Sequence, residues 1–157
     1  MKNKGDIEMN IDEEKIDYYI KKGYIDIDDH AKFKYIVEIL RLFNINVDGW
    51  MKGSYILNEH EGIMFTKVSN ENWTDTVDDQ YMYERYNTQD NKPIAKRNDF
   101  WGNKTIYVFR KENADGYEFI GCYKQDEDKL EELFEKNIVK ERPYKKIGSR
   151  IDLTKFN

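Results

Sequence analysis

Residues 99–124 read DFWGNKTIYVFRKENADGYEFIGCYK. Within them TIYVFRK alternates as an extended chain does, with Ile106, Val108 and Arg110 on one face and Tyr107, Phe109 and Lys111 on the other. ENADG is a turn with glycine at its end, and YEFIGCYK is the partner strand. Gly121 inside that second run permits a bulge or sharp bend, which a curling sheet needs. The Phe100-Trp101 pair leading in raises the question of whether this is only sheet core or also a place where something flat is held.

Upstream, the pattern from Asp12 is helical. Ile16, Tyr19 and Ile20 share a face, acids occupy the first turn, and Lys21-Lys22-Gly23 closes the helix. A second helix is predicted from a cap at Asp28 or Asp29, with Phe33, Ile36, Val37, Leu40 and Phe43 at helical spacing and an end near Asn44. After Gly49 the runs become strand-like: SYILN (54–58) and GIMFTKV (62–68) around a turn, then YMYERY (81–86). Residues 69–80 and 87–98 have loop composition. DEDKLEELFEK (126–136) is a late amphipathic helix, and IVKERPYKKI and RIDL are closing strands.

The order implies one α+β domain over residues 1–157, with a helical part at 1–45 and a strand-rich part at 50–157. Two N-terminal helices pack on a curled, mostly antiparallel sheet or small barrel, with one late helix. One cysteine, Cys122, excludes an internal disulfide and a cysteine-based zinc site and reads as a small core residue. The first residues lack the apolar segment of a signal peptide, and no apolar run is long enough to span a membrane, so the expected location is the cytoplasm. No cofactor or metal motif is present.

Enzyme signatures are sparse. His60 reads as an exposed turn residue and His30 as a solvent-facing residue of a helix start. Asp99, Glu112 and Glu118 with Lys104 or Lys111 could form a metal-dependent nuclease set. Acids are so abundant, Asp75, Asp78, Asp79, Glu84 and Asp90 among them, that solvated surface is the better reading.

Charge is distributed unevenly. The net charge is −5, yet residues 92–111 carry six bases against one acid and residues 140–150 five against one. Side by side, these stretches would form a phosphate-tracking surface, with Lys96, Arg97, Lys104, Arg110, Lys145 and Lys146 as contacts. Aromatic residues accompany them. Trp50, Trp73 and Trp101 are candidates to stack a base, and Asp99 to accept from an exocyclic amine. Trp73 in a polar stretch either pins a loop or lines a site.

The strand pair, with Ile106, Val108, Phe109 and Arg110 followed by Tyr117, Phe119, Ile120, Gly121 and Tyr123, resembles one found in the PUA-like superfamily, which includes SRA-like and EVE-like modules. The tail PYKKIGSRIDL is similar to the closing strand of such modules, so the resemblance spans about Asp99 to Leu153. It implies a small barrel that reads nucleic acid, often a modified cytosine in DNA, flipped into an aromatic cage at the barrel mouth. No counterpart of a family pocket motif is evident in residues 44–90. The leading expectation is therefore a non-catalytic nucleic-acid-binding module, with DNA favoured over RNA and no membrane contact. The alternatives are an acidic protein-interaction module of mobile-element origin, which would block a host nucleic-acid enzyme through residues 70–90, and a metal-dependent nuclease.

Overall fold

The computed structural model describes residues 10–47, 51–68 and 72–157. The first helix, α1 (Glu13–Lys22), forms as expected. Asp12 accepts the Lys15 amide at its start, and Gly23 ends it at φ 85°, where a side chain would be strained. Strand β1 (Tyr24–Asp26) pairs with β10 (Arg150–Asp152) in a separate two-stranded sheet.

The second helix differs from its expectation. Residues Ile27–Asp29 make a 3-10 turn, closed by a reciprocal cap between Asp26 and Asp29. His30 then takes a left-handed conformation, so it does not start a helix. Lys32–Phe33 is β2, paired with the hairpin strand at Glu118 and Tyr117, and α2 begins only at Ile36 (Ile36–Leu42). Pairing overrides the helical spacing here, and Phe33 is wholly buried through that strand. The buried Glu38 accepts the backbone N–H groups of Asp12 (2.8 Å) and Tyr35 (2.9 Å), fastening α2 to the start of α1.

The large sheet contains β3 (Ser54–Ile56), β4 (Glu61–Lys67), β5 (Trp73–Val77), β6 (Tyr81–Tyr86), β7 (Thr105–Asn113), β8 (Gly116–Gln125) and β9 (Glu141–Gly148), in the order β3-β4-β7-β8-β9-β6-β5, with β2 beside β8. All its pairs are antiparallel except β4–β7. The third helix, α3 (Glu127–Glu135), is capped by Asp126 and buries Leu130 and Leu133. Part of the expected loop at 69–80 is thus a strand, β5.

The sheet curls without closing. Although β5 lies last in strand order, the Asp75 N–H donates to Val68 O (3.1 Å) and Arg110 Nη2 donates to Asp75 O (3.3 Å). The bend has the origin expected at Gly121, which sits at φ 145° beside the β7–β8 register shift. The curl separates two cores. Its outer face, with Ile63, Phe65, Tyr107, Phe109 and Phe119, packs on α1 and α2 through Ile16, Ile39, Leu40 and Phe43. Its inner face gathers Met64, Met82, Ile106, Val108, Tyr123 and Tyr144. Cys122 is buried as expected, and burial pushes its thiol up to about 11. No helix among the described residues is long and apolar enough to cross a membrane.

Candidate functional site

The inner face is not uniformly apolar. Register places Asp75 opposite Glu84 and Glu84 opposite Arg142, a polar row across β5, β6 and β9. One step along the strands lies Trp73 opposite Tyr86, and on the other side Met82 opposite Tyr144. The Trp73 and Tyr86 rings meet edge to face at 5.0 Å. Asp75 is 4% exposed and Arg142 5%. The Tyr144 hydroxyl donates to Glu84. Arg110, two residues along β7 from Val108, projects into the same interior and pairs with Glu112 (2.7 Å).

Buried polar atoms are normally paired. Here, among the described residues, Asp75 Oδ1, Arg110 Nε, Tyr123 Oη and Arg142 Nε are buried with no hydrogen-bond partner. All four belong to inner-face positions. Burial, reinforced by the nearby Glu84, raises Asp75 to about 7 against the opposing pull of Arg110. Burial likewise raises Glu84, while the Tyr144 hydrogen bond and Arg142 hold it down. Such perturbed groups, gathered on an aromatic-lined inner face, make it the candidate functional site.

The raised carboxyl has a consequence for stability. An aspartate titrates near 3.9 in an unfolded chain. With the folded value near 7, this carboxyl costs the fold nothing below about pH 4 and destabilises it increasingly as pH rises from 4 through 7. Asp75→Asn removes this ionisation. It is expected to leave stability at pH 4 nearly unchanged and to raise it at pH 8 by about 2 kcal/mol, roughly half the full linkage value once solvent screening is allowed for. Urea denaturation at the two pH values measures the difference.

A cleft of about 470 Å³ opens beside this row, lined by Tyr86, Arg142 and the 88–99 loop, including Lys92, Arg97 and Asp99. That loop is strapped to β9. Arg142 Nη2 donates to Ala95 O (2.6 Å), Ile94 N–H to Val139 O (2.8 Å), and Lys140 reaches Thr88 and Asp90. The two basic stretches therefore meet along this strap.

The sequence-derived candidates fall in different places. Trp73 lines the inner row, in a strand rather than a loop. Trp101 is 3% exposed and packs in the inner core against Gly62, where it fills space. Trp50 lies outside the described residues. Asp99 and Arg97 pair on the exposed lip of the cleft (2.6 Å). Lys96 lies over the Phe134 ring, and Lys104 is half-buried in the turn before β7. Lys145 is exposed, while its neighbour Lys146 runs past Gly121. Arg110 points inward instead of onto an open surface. Asp75 and Glu84 are likewise interior residues, not solvated surface, so the acidic run at 70–90 does not present all its charge outward. His30 and His60 are both exposed. Among the described residues, no three His, Cys, Asp or Glu side chains are placed to hold a metal ion.

An open, curled sheet, with helices on its outer face and a polar, aromatic-lined inner face, defines a domain of the PUA-like class. The chain belongs to the SET and RING associated (SRA) domain family, whose model matches residues 18–153. Domains of this family bind DNA and read modified bases. Among solved structures, the 5-hydroxymethylcytosine-specific restriction enzyme AbaSI is similar, with a TM-score of 0.69 and 20% sequence identity over 94% of this chain. At that identity the likeness is one of fold. The match takes in 48% of the AbaSI chain, so this chain spans about half its length. No curated protein sequence matches.

Proposed function

We propose that this chain is a non-catalytic DNA reader that holds an extruded, modified cytosine inside the curl of its sheet. The observation that carries the reading is the row Asp75–Glu84–Arg142, flanked by Trp73 and Tyr86 and edged by buried polar atoms without partners. A flipped base is held by stacking on its faces and by hydrogen bonds at its edge. Trp73 and Tyr86 supply the aromatic faces and Asp75 the edge contact. The Tyr144 hydroxyl holds Glu84 in place behind it, with Arg142 opposite as a counter-charge. The cleft beside Tyr86 is the way in, with Lys92 and Arg97 on its lip to meet phosphates. Lys96, Lys104, Lys145 and Lys146 serve in this reading as outlying phosphate contacts. The specificity named for AbaSI makes 5-hydroxymethylcytosine the first base to test.

Fluorescence anisotropy with duplexes carrying one 5-hydroxymethylcytosine, one 5-methylcytosine or only unmodified cytosine tests the reading. One modified duplex should bind at least about tenfold more tightly than the unmodified one, the scale of a few good base-edge hydrogen bonds. Asp75→Ala should weaken the base-dependent part of the binding while leaving the salt-dependent, sequence-independent part that phosphate contacts supply. Equal affinity for all three duplexes would reject base reading. DNA cleavage on addition of Mg²⁺ or Mn²⁺ would reject the non-catalytic assignment.

A further inference from the structure

We infer that Asp75 and its base share one proton, so that a cytosine is held only when a hydrogen lies between the Asp75 carboxyl and the ring nitrogen N3. The inference rests on the reading above and adds the protonation state of the complex.

The edge of cytosine alternates: the N4 amine donates, while N3 accepts. An ionised carboxylate only accepts. It can take the N4 hydrogen, but its second oxygen then faces the N3 lone pair with nothing between them. With one proton added, a carboxyl O–H donates to N3 while the other oxygen accepts from N4. Placing the proton on N3 instead gives the same stoichiometry: one proton enters with the base and leaves with it.

Asp75 is built for this role and its neighbours are not. Its Oδ1 is buried and unpaired. The facing cation, Arg110 from β7, directs its Nη2 to the Asp75 backbone carbonyl and its Nη1 to Glu112, so it makes no bond to the carboxyl. From β6 the facing charge is Glu84, whose negative charge favours a proton on Asp75. From β4 the inner-face neighbour is Thr66, which does not titrate. Farther off, Arg142 faces Glu84, and Tyr123, pushed up to about 12, stays neutral. Glu84 already accepts the Tyr144 hydroxyl and lies opposite Arg142, which leaves it less free to bind a base edge. Asp75 titrates near 7, so the proton is present at slightly acidic pH and must be taken up in alkaline solution.

The test is a pH series from 6 to 9 at fixed salt, with a duplex containing one 5-hydroxymethylcytosine. It uses His30→Gln/His60→Gln, which removes both histidines of the chain. Affinity should fall about tenfold per pH unit above about pH 7.5, as one-proton linkage requires. Asp75→Asn places an amide N–H opposite N3 at every pH, so its affinity should be flat and exceed that of the parent by pH 9. Flat parental affinity with preference for the modified duplex intact overturns proton sharing and leaves base reading standing. Loss of preference at every pH overturns both. Should Asp75→Asn not fold, calorimetry of the parent at pH 8.5 in buffers of different ionisation enthalpy reads the proton directly. Uptake near one supports the inference, and zero overturns it.

Discussion

Arg142→Met is expected to lower the stability of the domain by about 3 kcal/mol and to free the 88–99 loop. The substitution nearly conserves the buried stem, so the loss comes from the guanidinium. That group supplies the positive charge opposite Glu84, donates to Ala95 O at 2.6 Å and reaches Gln125 Oε1 at 3.4 Å. Removing a buried positive charge that lies opposite a buried acid is costly, because the acid then stays buried without compensation. Glu84 would then have to take a proton, raising its already elevated titration further. Gln125 also donates to Asn98 O (2.9 Å) and Gly102 O (3.1 Å), so the end of the loop keeps a tether while its middle loses one. Hydrogen exchange should therefore accelerate at the Ile94 amide, which bonds Val139 O beside the lost anchor. A stability loss below about 1 kcal/mol with unchanged exchange at Ile94 would show that Arg142 is not the strap described here.

The same residue illustrates what the sequence could and could not disclose. Arg142 stands in RPYKK, where five bases against one acid suggested a solvated, phosphate-facing stretch. Alternation along a strand sends Arg142 and Tyr144 inward and Lys145 outward, and that distinction depends on which face is enclosed. The hairpin at 105–125 was legible because both its faces are apolar and its turn chemistry is explicit. The curl was legible in Gly121, a glycine where a strand pattern has no other use for one. The polar row was hidden for a different reason. Asp75 sits in WTDTV, whose Trp73 and Val77 share its face, but the flanking polar residues gave the stretch a loop composition. Only the return of β5 toward Val68 and Arg110 encloses that face, and a contact between residues 35 apart in sequence leaves no local signature. The shortened second helix has a similar cause. Phe33 keeps helical spacing with Ile36 and Leu40, yet its burial is provided by Tyr117 across a two-residue strand.

That two-residue strand makes Gly116 the most sensitive glycine of the outer core. Gly116→Ala is expected to cost about 4 kcal/mol, whereas Gly121→Ala should cost about 1–2 kcal/mol, although both glycines have positive φ. At Gly116 the backbone lies at φ 127°, and an added Cβ would fall 2.3 Å from Phe33 O and 2.9 Å from Lys34 Cα. These are backbone atoms of the segment paired to β8, so relief requires β2 to move away. Moving it would expose Phe33, which is wholly buried and contacts the Tyr19 ring at 5.8 Å. Strain and clash thus add to lost burial. At Gly121 (φ 145°) the nearest atom to an added Cβ is Lys146 Cε, at 2.8 Å, the far end of a side chain that can swing aside. Strain remains there, but Tyr123 Cε2 (3.2 Å) and Gly148 O (3.3 Å) need give by only a few tenths of an ångström. Denaturant midpoints for the two variants separate these cases, and the DNA readout adds a second distinction. Gly116 lies at the outer-core end of the hairpin, so the Gly116→Ala fraction that folds should keep its preference for modified DNA. If the two variants lose equal stability, the clash with β2 contributes nothing and positive φ alone sets the cost.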